Sequence, residues 1–194
     1  MNALKIRFLK QFALGHGTDL DDAEQVVKKC ISLAYQDMMT AGKYCLDIAM
    51  GRGNAEKTDA NEDRKARFLA LLQEERYVFS RRLIKRTCAI FGDTDRIAAS
   101  PRKYVTAFGL AQKLVNMTYK YLYVFSRETG LDIDFSACDC PMDSIIIKKL
   151  GESGIWSKLT EQAYDALQQK ADESIRRHPA YSELGRLAYD FVNW

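Results

Sequence analysis

The sequence predicts an all-α fold. Three observations predict it: apolar residues recur near the 3.6-residue period of a helix in one segment after another, three prolines interrupt the whole chain, and no alternating run is long enough to compete as a strand. Hydrophobic residues make up 47% of the 194 positions and charged residues 28%, an ordinary globular balance. A chain of this length buries a core without staples. One helical domain over residues 1–194 is expected, divisible into a lobe of 1–60 with 150–194 and a lobe of 61–149.

Taken in order, Ile6, Leu9, Ala13 and Leu14 space a first helix that Gly15-His16-Gly17 ends. Thr18 or Asp19 caps a second, with Asp21, Asp22 and Glu24 in the first turn where the helix dipole favours negative charge. Val26, Val27, Cys30, Leu33, Ala34, Tyr35 and Met38 form its apolar face, and Gly42 breaks it before Tyr44 to Met50. Gly51-Arg52-Gly53-Asn54 begins a polar loop to about Asn61; its Gly-x-Gly lacks the preceding strand and following GK[ST] of a phosphate loop. From Glu62 to Phe91 the pattern is helical again, with Arg76, Arg81, Arg82, Lys85 and Arg86 set among core candidates so that several share one face.

Gly92 to Asp95 reads as a turn, and Ser100-Pro101 as a helix start with proline at its first position. Phe108-Gly109 interrupts that helix, giving helix, tight turn, helix. Leu110 to Arg127 follows as the central buried helix, on a stripe of Leu110, Leu114, Met117, Tyr121, Val124 and Phe125. Glu128 to Asp139 is a polar loop able to hold a short extended piece. Pro141 starts a helix through Leu150, Gly151 and Gly154 stop it, Thr160 caps another from Glu161 to Arg177, and Pro179 begins a last one through Val192.

The net charge of +3 is unevenly spread. Residues 76–120 hold 10 Lys+Arg against 2 Asp+Glu, while the segments before and after come to −1 and −4. Such a basic block is the electrostatic footprint expected for a polyanion, and also that of a solvated helix face. No apolar run of about eighteen residues is present and the N-terminus has no apolar signal region, so neither a membrane span nor a secretory leader is expected. Five cysteines is an odd count, and Cys138-x-Cys140 lacks the second pair that a zinc or iron-sulfur site requires. These features point to a reduced, cytoplasmic monomer without metal or cofactor.

The stretch from Gly109 to Lys149 carries the chemistry. Lys113 falls in the first turn of its helix, where a cation is mildly unfavourable, and Asp143 in the first turn of a later one, where a carboxylate is favoured. The aspartate has a structural reason to be there and the lysine does not. Gly109-Leu110-Ala111-Gln112-Lys113-Leu114-Val115-Asn116, with Cys140-Pro141-Met142-Asp143-Ser144-Ile145 after it, resembles the core of the helix-hairpin-helix DNA glycosylases. The likeness covers about forty of the 194 residues, and the long segment between the two pieces is more like the archaeal 8-oxoguanine branch than the endonuclease III branch. The chain has Phe108-Gly109 in place of the family's Leu-Pro-Gly-x-Gly hairpin, no counterpart of the four-cysteine cluster of some members, and Cys140 where an aliphatic residue usually precedes the proline.

What the resemblance implies is a two-lobed glycosylase architecture with Lys113 as nucleophile and Asp143 as electrostatic and acid–base partner. A carboxylate stabilises the oxocarbenium-like sugar that forms as an N-glycosidic bond breaks. A lysine amine, kept neutral by burial and neighbouring cations, attacks C1′, and the Schiff base that results permits strand cleavage. The partner would be double-stranded DNA containing a modified base, oxidised guanine or a hypermodified base of phage type, turned out of the duplex into a pocket. Arg102, Lys103, Gly109, Gln112 and Lys120 are then the DNA-contacting candidates. Asn116, Tyr35 and Trp156 are the candidates for the base pocket, with Tyr44 beside them. Gln112 and Asn116 serve equally well as hydrogen-bonding groups between helices.

A helical nuclease of the HEPN kind needs an arginine four to six residues before a histidine. His178 directly follows Arg176-Arg177 and His16 has its nearest preceding arginine at Arg7, so that class loses its key residues. A non-catalytic helical module that binds nucleic acid or protein, of phage or mobile-element origin, is the other reading the sequence leaves open.

Overall fold

The computed structural model describes residues 10, 13–15, 17–42, 54–92, 105–177 and 185–193. Eight α-helices follow one another among them: α1 (Ala23–Gly42), α2 (Asn54–Glu74), α3 (Arg81–Phe91), α4 (Ala107–Val124), α5 (Ser126–Thr129), α6 (Ser144–Lys149), α7 (Glu161–Arg176) and α8 (Gly185–Asn193). Two 3-10 turns, Phe135–Ala137 and Trp156–Lys158, complete the order. No residue of the described set is in a strand, so the chain is all-helical there. No described helix is long and apolar enough to cross a membrane.

Helix α4 is the axis of the fold. Every residue from Gly109 to Lys120 is buried. A helix covered all round must be apolar or must pair its polar groups. Leu110, Ala111, Leu114, Val115, Met117, Tyr119 and Leu122 meet the first condition, and Gln112, Lys113, Asn116 and Lys120 the second. Helices α1 and α3 pack along it. Phe79, from the segment before α3, meets the Tyr119 ring edge to face at 5.1 Å.

The tight turn expected at Gly109 is absent. Helix α4 starts at Ala107, and Thr106 caps it by accepting from Gly109 N at 2.9 Å. The same hydroxyl donates to Leu159 O at 2.6 Å, and Thr106 N donates to Ser157 O at 2.8 Å. Gly109 is required by this docking rather than by a turn: a Cβ there would lie 2.8 Å from Ser157 C, Ser157 O and Trp156 O. The helix start predicted at Ser100-Pro101, the segment Tyr44 to Met50 and the start at Pro179 lie outside the described residues, as does most of the first predicted helix, of which Lys10, Ala13 and Leu14 are described and helical.

Four other boundaries move. Helix α1 is capped by Asp22, whose Oδ1 accepts from Gln25 N at 3.1 Å, rather than by Thr18 or Asp19. Helix α2 begins at Asn54, inside the expected polar loop. Its early turns carry Ala, Glu and Lys, good helix formers that leave no apolar stripe to read. The single helix expected over Glu62–Phe91 is two, separated by Arg76 and Tyr77 at φ 52° and 56°. Ser80 then caps α3 by accepting from Leu83 N at 3.0 Å, a start signal hidden inside the apolar pattern. The central helix stops at Val124, short of Arg127, and the loop after α5 makes a 3-10 turn rather than an extended piece.

Candidate functional site

Residues Asp139 to Asp143 cross the described core without helical or strand partners, and side chains satisfy them instead. From α7, Gln168 Nε2 donates to Cys140 O at 2.7 Å and its Oε1 accepts from Cys140 N at 3.2 Å. From α4, Gln112 Nε2 donates to Met142 O at 3.0 Å and its Oε1 accepts from Met142 N at 3.3 Å. Pro141 between them has no N–H to satisfy. Two glutamine amides thus act as the missing backbone neighbours of a buried segment, and deliver Asp143 to one place.

That place is the start of α6. The helix opens at Ser144 rather than at Pro141, so Asp143 is its N-cap and not a residue of its first turn: its Oδ1 accepts from Ile145 N and Ile146 N, both at 2.9 Å. The other oxygen is left for α4, and Lys113 Nζ donates to Oδ2 at 3.1 Å. The side chains are 6% and 10% exposed, so the pair is desolvated. Because α4 starts at Ala107, Lys113 is in its second turn. The dipole penalty read from the sequence therefore lapses; what explains the lysine is the carboxylate facing it.

A second buried pair lies on the same face of α4. Lys120, seven residues on, places Nζ 2.6 Å from Asp190 Oδ2 of α8. Burial raises the Asp190 carboxyl above its ordinary range; Lys120 opposes that rise and the field of Asp143 adds to it. Cys140 is buried among these charges, and burial holds its thiol far up, so it is protonated and no nucleophile.

Asp139, at the other end of the segment, has its own set of partners. Tyr164 OH of α7 donates to its Oδ2 at 3.0 Å, Arg81 of α3 places Nε 3.2 Å from the same oxygen, and Arg186 of α8 holds Oδ1. Arg186 also makes a bidentate pair with Asp172 at 2.7 and 2.6 Å, and Arg81 stacks over the Tyr164 ring at 4.4 Å. Asn116 joins the two ends, its Nδ2 donating to Tyr164 OH at 2.7 Å and to Gln112 Oε1 at 3.3 Å. Its Oδ1 is buried and has no donor among the described residues.

The structure brings Lys113, Asp143, Gln112 and Asn116 together, with the two amides serving between helices. Trp156 is buried beside the first turn of α4, where its carbonyl abuts Gly109, one turn before Lys113. Tyr35 turns elsewhere: its hydroxyl donates to Asn61 Oδ1 of α2 at 2.9 Å and accepts from Arg64. Gly109 is buried with its amide spent on Thr106, and Lys120 is buried against Asp190, so neither presents a surface contact. Arg102, Lys103 and Tyr44 lie outside the described residues.

The basic block is largely neutralised. Of its seven described cations, six face carboxylates: Arg81 on Asp139 and Asp165, Arg82 on Glu75, Lys85 on Glu161, Arg86 on Glu74 and Glu75, Lys113 on Asp143 and Lys120 on Asp190. The expectation that neighbouring cations press on Lys113 is therefore corrected, since its immediate neighbour is an anion. Sequence reasoning missed Gln168, Asp139, Asp190 and Arg186. Two of them left a signal, because Gln168 shares a stripe with Tyr164, Leu167 and Ala171, and Asp190 lies three residues after Leu187. A polar residue at an apolar register position is one that has a buried partner.

Comparison with protein-family models, with curated proteins and with solved structures returns no match.

Proposed function

We propose that the protein is a DNA glycosylase, with the two-lobed architecture of the helix-hairpin-helix superfamily, that excises a modified base through Lys113 and Asp143. The observation that carries the reading is the contact between them: a lysine and an aspartate thirty residues apart, singled out by sequence pattern, meet at 3.1 Å in a desolvated position. The two oxygens of Asp143 divide the work. Oδ1 is fixed by the amides of α6, and Oδ2 takes the proton of the Lys113 ammonium.

The neutral amine then forms a bond from Nζ to C1′ of the deoxyribose as the glycosidic C–N bond breaks, its electron pair leaving with the base, which takes up the proton held on Asp143 Oδ2. Asp143, charged again once that proton moves on, stabilises the cationic sugar. The covalent intermediate opens to a Schiff base, and β-elimination cleaves the strand. Oxidised guanine and a hypermodified base of phage DNA are the substrate candidates, and Asn116 Oδ1, buried with no donor among the described residues and about one turn from Lys113 on α4, is the acceptor offered to such a base.

A different observation favours a second reading, a non-catalytic helical binding module: the pairing of six of the seven described cations in the basic block. Borohydride trapping on duplexes with each candidate base separates the two. The glycosylase reading expects a covalent adduct that Lys113→Gln abolishes and base release that Asp143→Asn slows by orders of magnitude. Full excision by Lys113→Gln removes the lysine from the mechanism, and normal excision by Asp143→Asn as well removes the family assignment; no base release from any duplex leaves the binding module.

A further inference from the structure

We infer that the outward face of α6, with the exposed Ile155 that follows it in the chain, is the surface on which the nucleic acid docks, and that Lys148 and Lys149 supply its phosphate contacts. The choice of partner rests on the glycosylase reading. The surface itself is argued from charge and exposure.

Helix α6 is short and two-sided. Ile146 and Ile147 turn inward and are buried, whereas Ser144, Ile145, Lys148 and Lys149 are exposed, at the i, i+3 and i+4 spacings that share one helix face. Ile145 is 45% exposed and Ile155, which follows across the exposed segment 151–155, is 56% exposed. Neither Lys148 nor Lys149 has a carboxylate within ion-pair reach among the described residues, in contrast to Arg81, Lys85 and Arg86. The nearest acid in sequence, Glu152, is engaged by Lys170 of α7. Two uncompensated ammonium groups and one exposed isoleucine therefore lie on the helix whose N-cap is Asp143, and a second exposed isoleucine follows it six residues beyond Lys149.

A nucleic acid supplies both complements at once, phosphates for the lysines and the apolar faces of sugars and bases for the isoleucines. An anionic membrane supplies the same two in principle. Sequence-readable lipid recognition takes clusters of about four to eight cations or a long amphipathic helix, and this surface has neither. Docking here places the backbone of the ligand on the helix that Asp143 caps. The basic block, six of whose seven described cations face the protein's own carboxylates, does not do so.

Fluorescence anisotropy of a duplex carrying a tetrahydrofuran abasic analogue, read across a salt series, tests the assignment. Each phosphate contact contributes roughly 0.9 to the slope of log K against log salt, so Lys148→Gln/Lys149→Gln is expected to flatten it by about 1.8. Ile145→Ser/Ile155→Ser is expected to weaken binding with the slope unchanged. The control Lys29→Gln/Arg177→Gln, exposed elsewhere, should leave both alone, and circular dichroism verifies that each variant is folded. An unchanged slope in the α6 variant, no duplex binding by the parent protein, or binding to phosphatidylserine–phosphatidylcholine vesicles in preference to the duplex would overturn the assignment. Base excision with an unmoved slope refutes this surface and keeps the glycosylase reading, whereas a flattened slope without excision keeps the surface and refutes that reading.

Discussion

Replacing Gln112 by leucine tests the central claim that a side-chain amide holds Asp143 in place. The residue is fully buried, and its removal strands the Met142 N–H and C=O away from water. Each orphaned group costs about 1–3 kcal/mol, giving roughly 2–6 kcal/mol for the two. The bond to Met142 O at 3.0 Å is well formed and that from Met142 N at 3.3 Å is long, so the lower half of the range applies. Burying leucine in the vacated space returns part of the loss, and a net destabilisation of about 2–3 kcal/mol remains. For a chain of this size that is a fall in Tm of roughly 4–12 °C. Thermal unfolding followed by circular dichroism reads it, and hydrogen exchange at Ile145 and Ile146 reads the local effect, because those amides are protected by the Asp143 carboxylate that the clamp positions. Gln112→Glu discriminates further: it can still accept from Met142 N but cannot donate to Met142 O, and it should be no more stable than the leucine variant. A Gln112→Leu protein within about 0.5 kcal/mol of the parent, with unchanged exchange at both amides, would refute the reasoning.

Gly109→Ala gains up to about 1 kcal/mol of helix propensity but drives a methyl into the Ser157 and Trp156 backbone at 2.8 Å, at a cost of roughly 1–3 kcal/mol. A lower Tm and an altered Trp156 emission in a Trp194→Phe background are expected. Breaking the buried Lys120–Asp190 pair on one side, by Lys120→Met or Asp190→Leu, should cost about 3–5 kcal/mol in chemical denaturation, whereas the double variant should lie near or above the parent. The same double variant exposes the titration of Asp190. Its folded pKa is raised above the ordinary 3.8, so its contribution favours folding below pH 3.8 and is lost as pH rises through the folded value. Relative to the double variant, the parent's Tm should therefore improve as acid is added down to that point. Asp172, held down by its hydrogen bonds from Arg186, runs the other way: its contribution is present above pH 3.8 and lost as pH falls through the depressed value. Asp172→Asn should accordingly reduce the loss of Tm in strong acid.

The helical class was legible because it depends on periodicity, and the stripe through Leu110, Leu114 and Met117 marked the central helix as buried, although Gln112, Lys113, Asn116 and Lys120 are buried off that stripe and Val124 on it is exposed. Helix starts were less legible. Thr106 and Ser80 act as caps inside patterns that read as continuous or as broken one turn later, since a cap is a local hydrogen bond and leaves no trace in a hydrophobic stripe. The pairing of Lys113 with Asp143 came from what the family resemblance implies, and the unfavourable place on the dipole assigned to the lysine belonged to a helix start three residues too late. The fate of the basic block was not legible at all. Its carboxylate partners come from α2, α6, α7 and α8 and from Asp139, and nothing in a one-dimensional count says which charges will face each other. Gln168 and Asp190 were readable in retrospect as polar residues in apolar register.

The two glutamine clamps have a consequence for how this chain can change. Because Cys140 and Met142 are held by amides rooted in α7 and α4, the position of Asp143 is independent of the path by which the chain arrives from α5. Residues 130–134 are exposed or half-buried and precede Asp139, which is anchored separately by Tyr164, Arg81 and Arg186. Length and composition can drift in that connection while the carboxylate stays in register with Lys113. The distance between the two residues along the chain is thus a variable quantity, and the distance between them in space a fixed one.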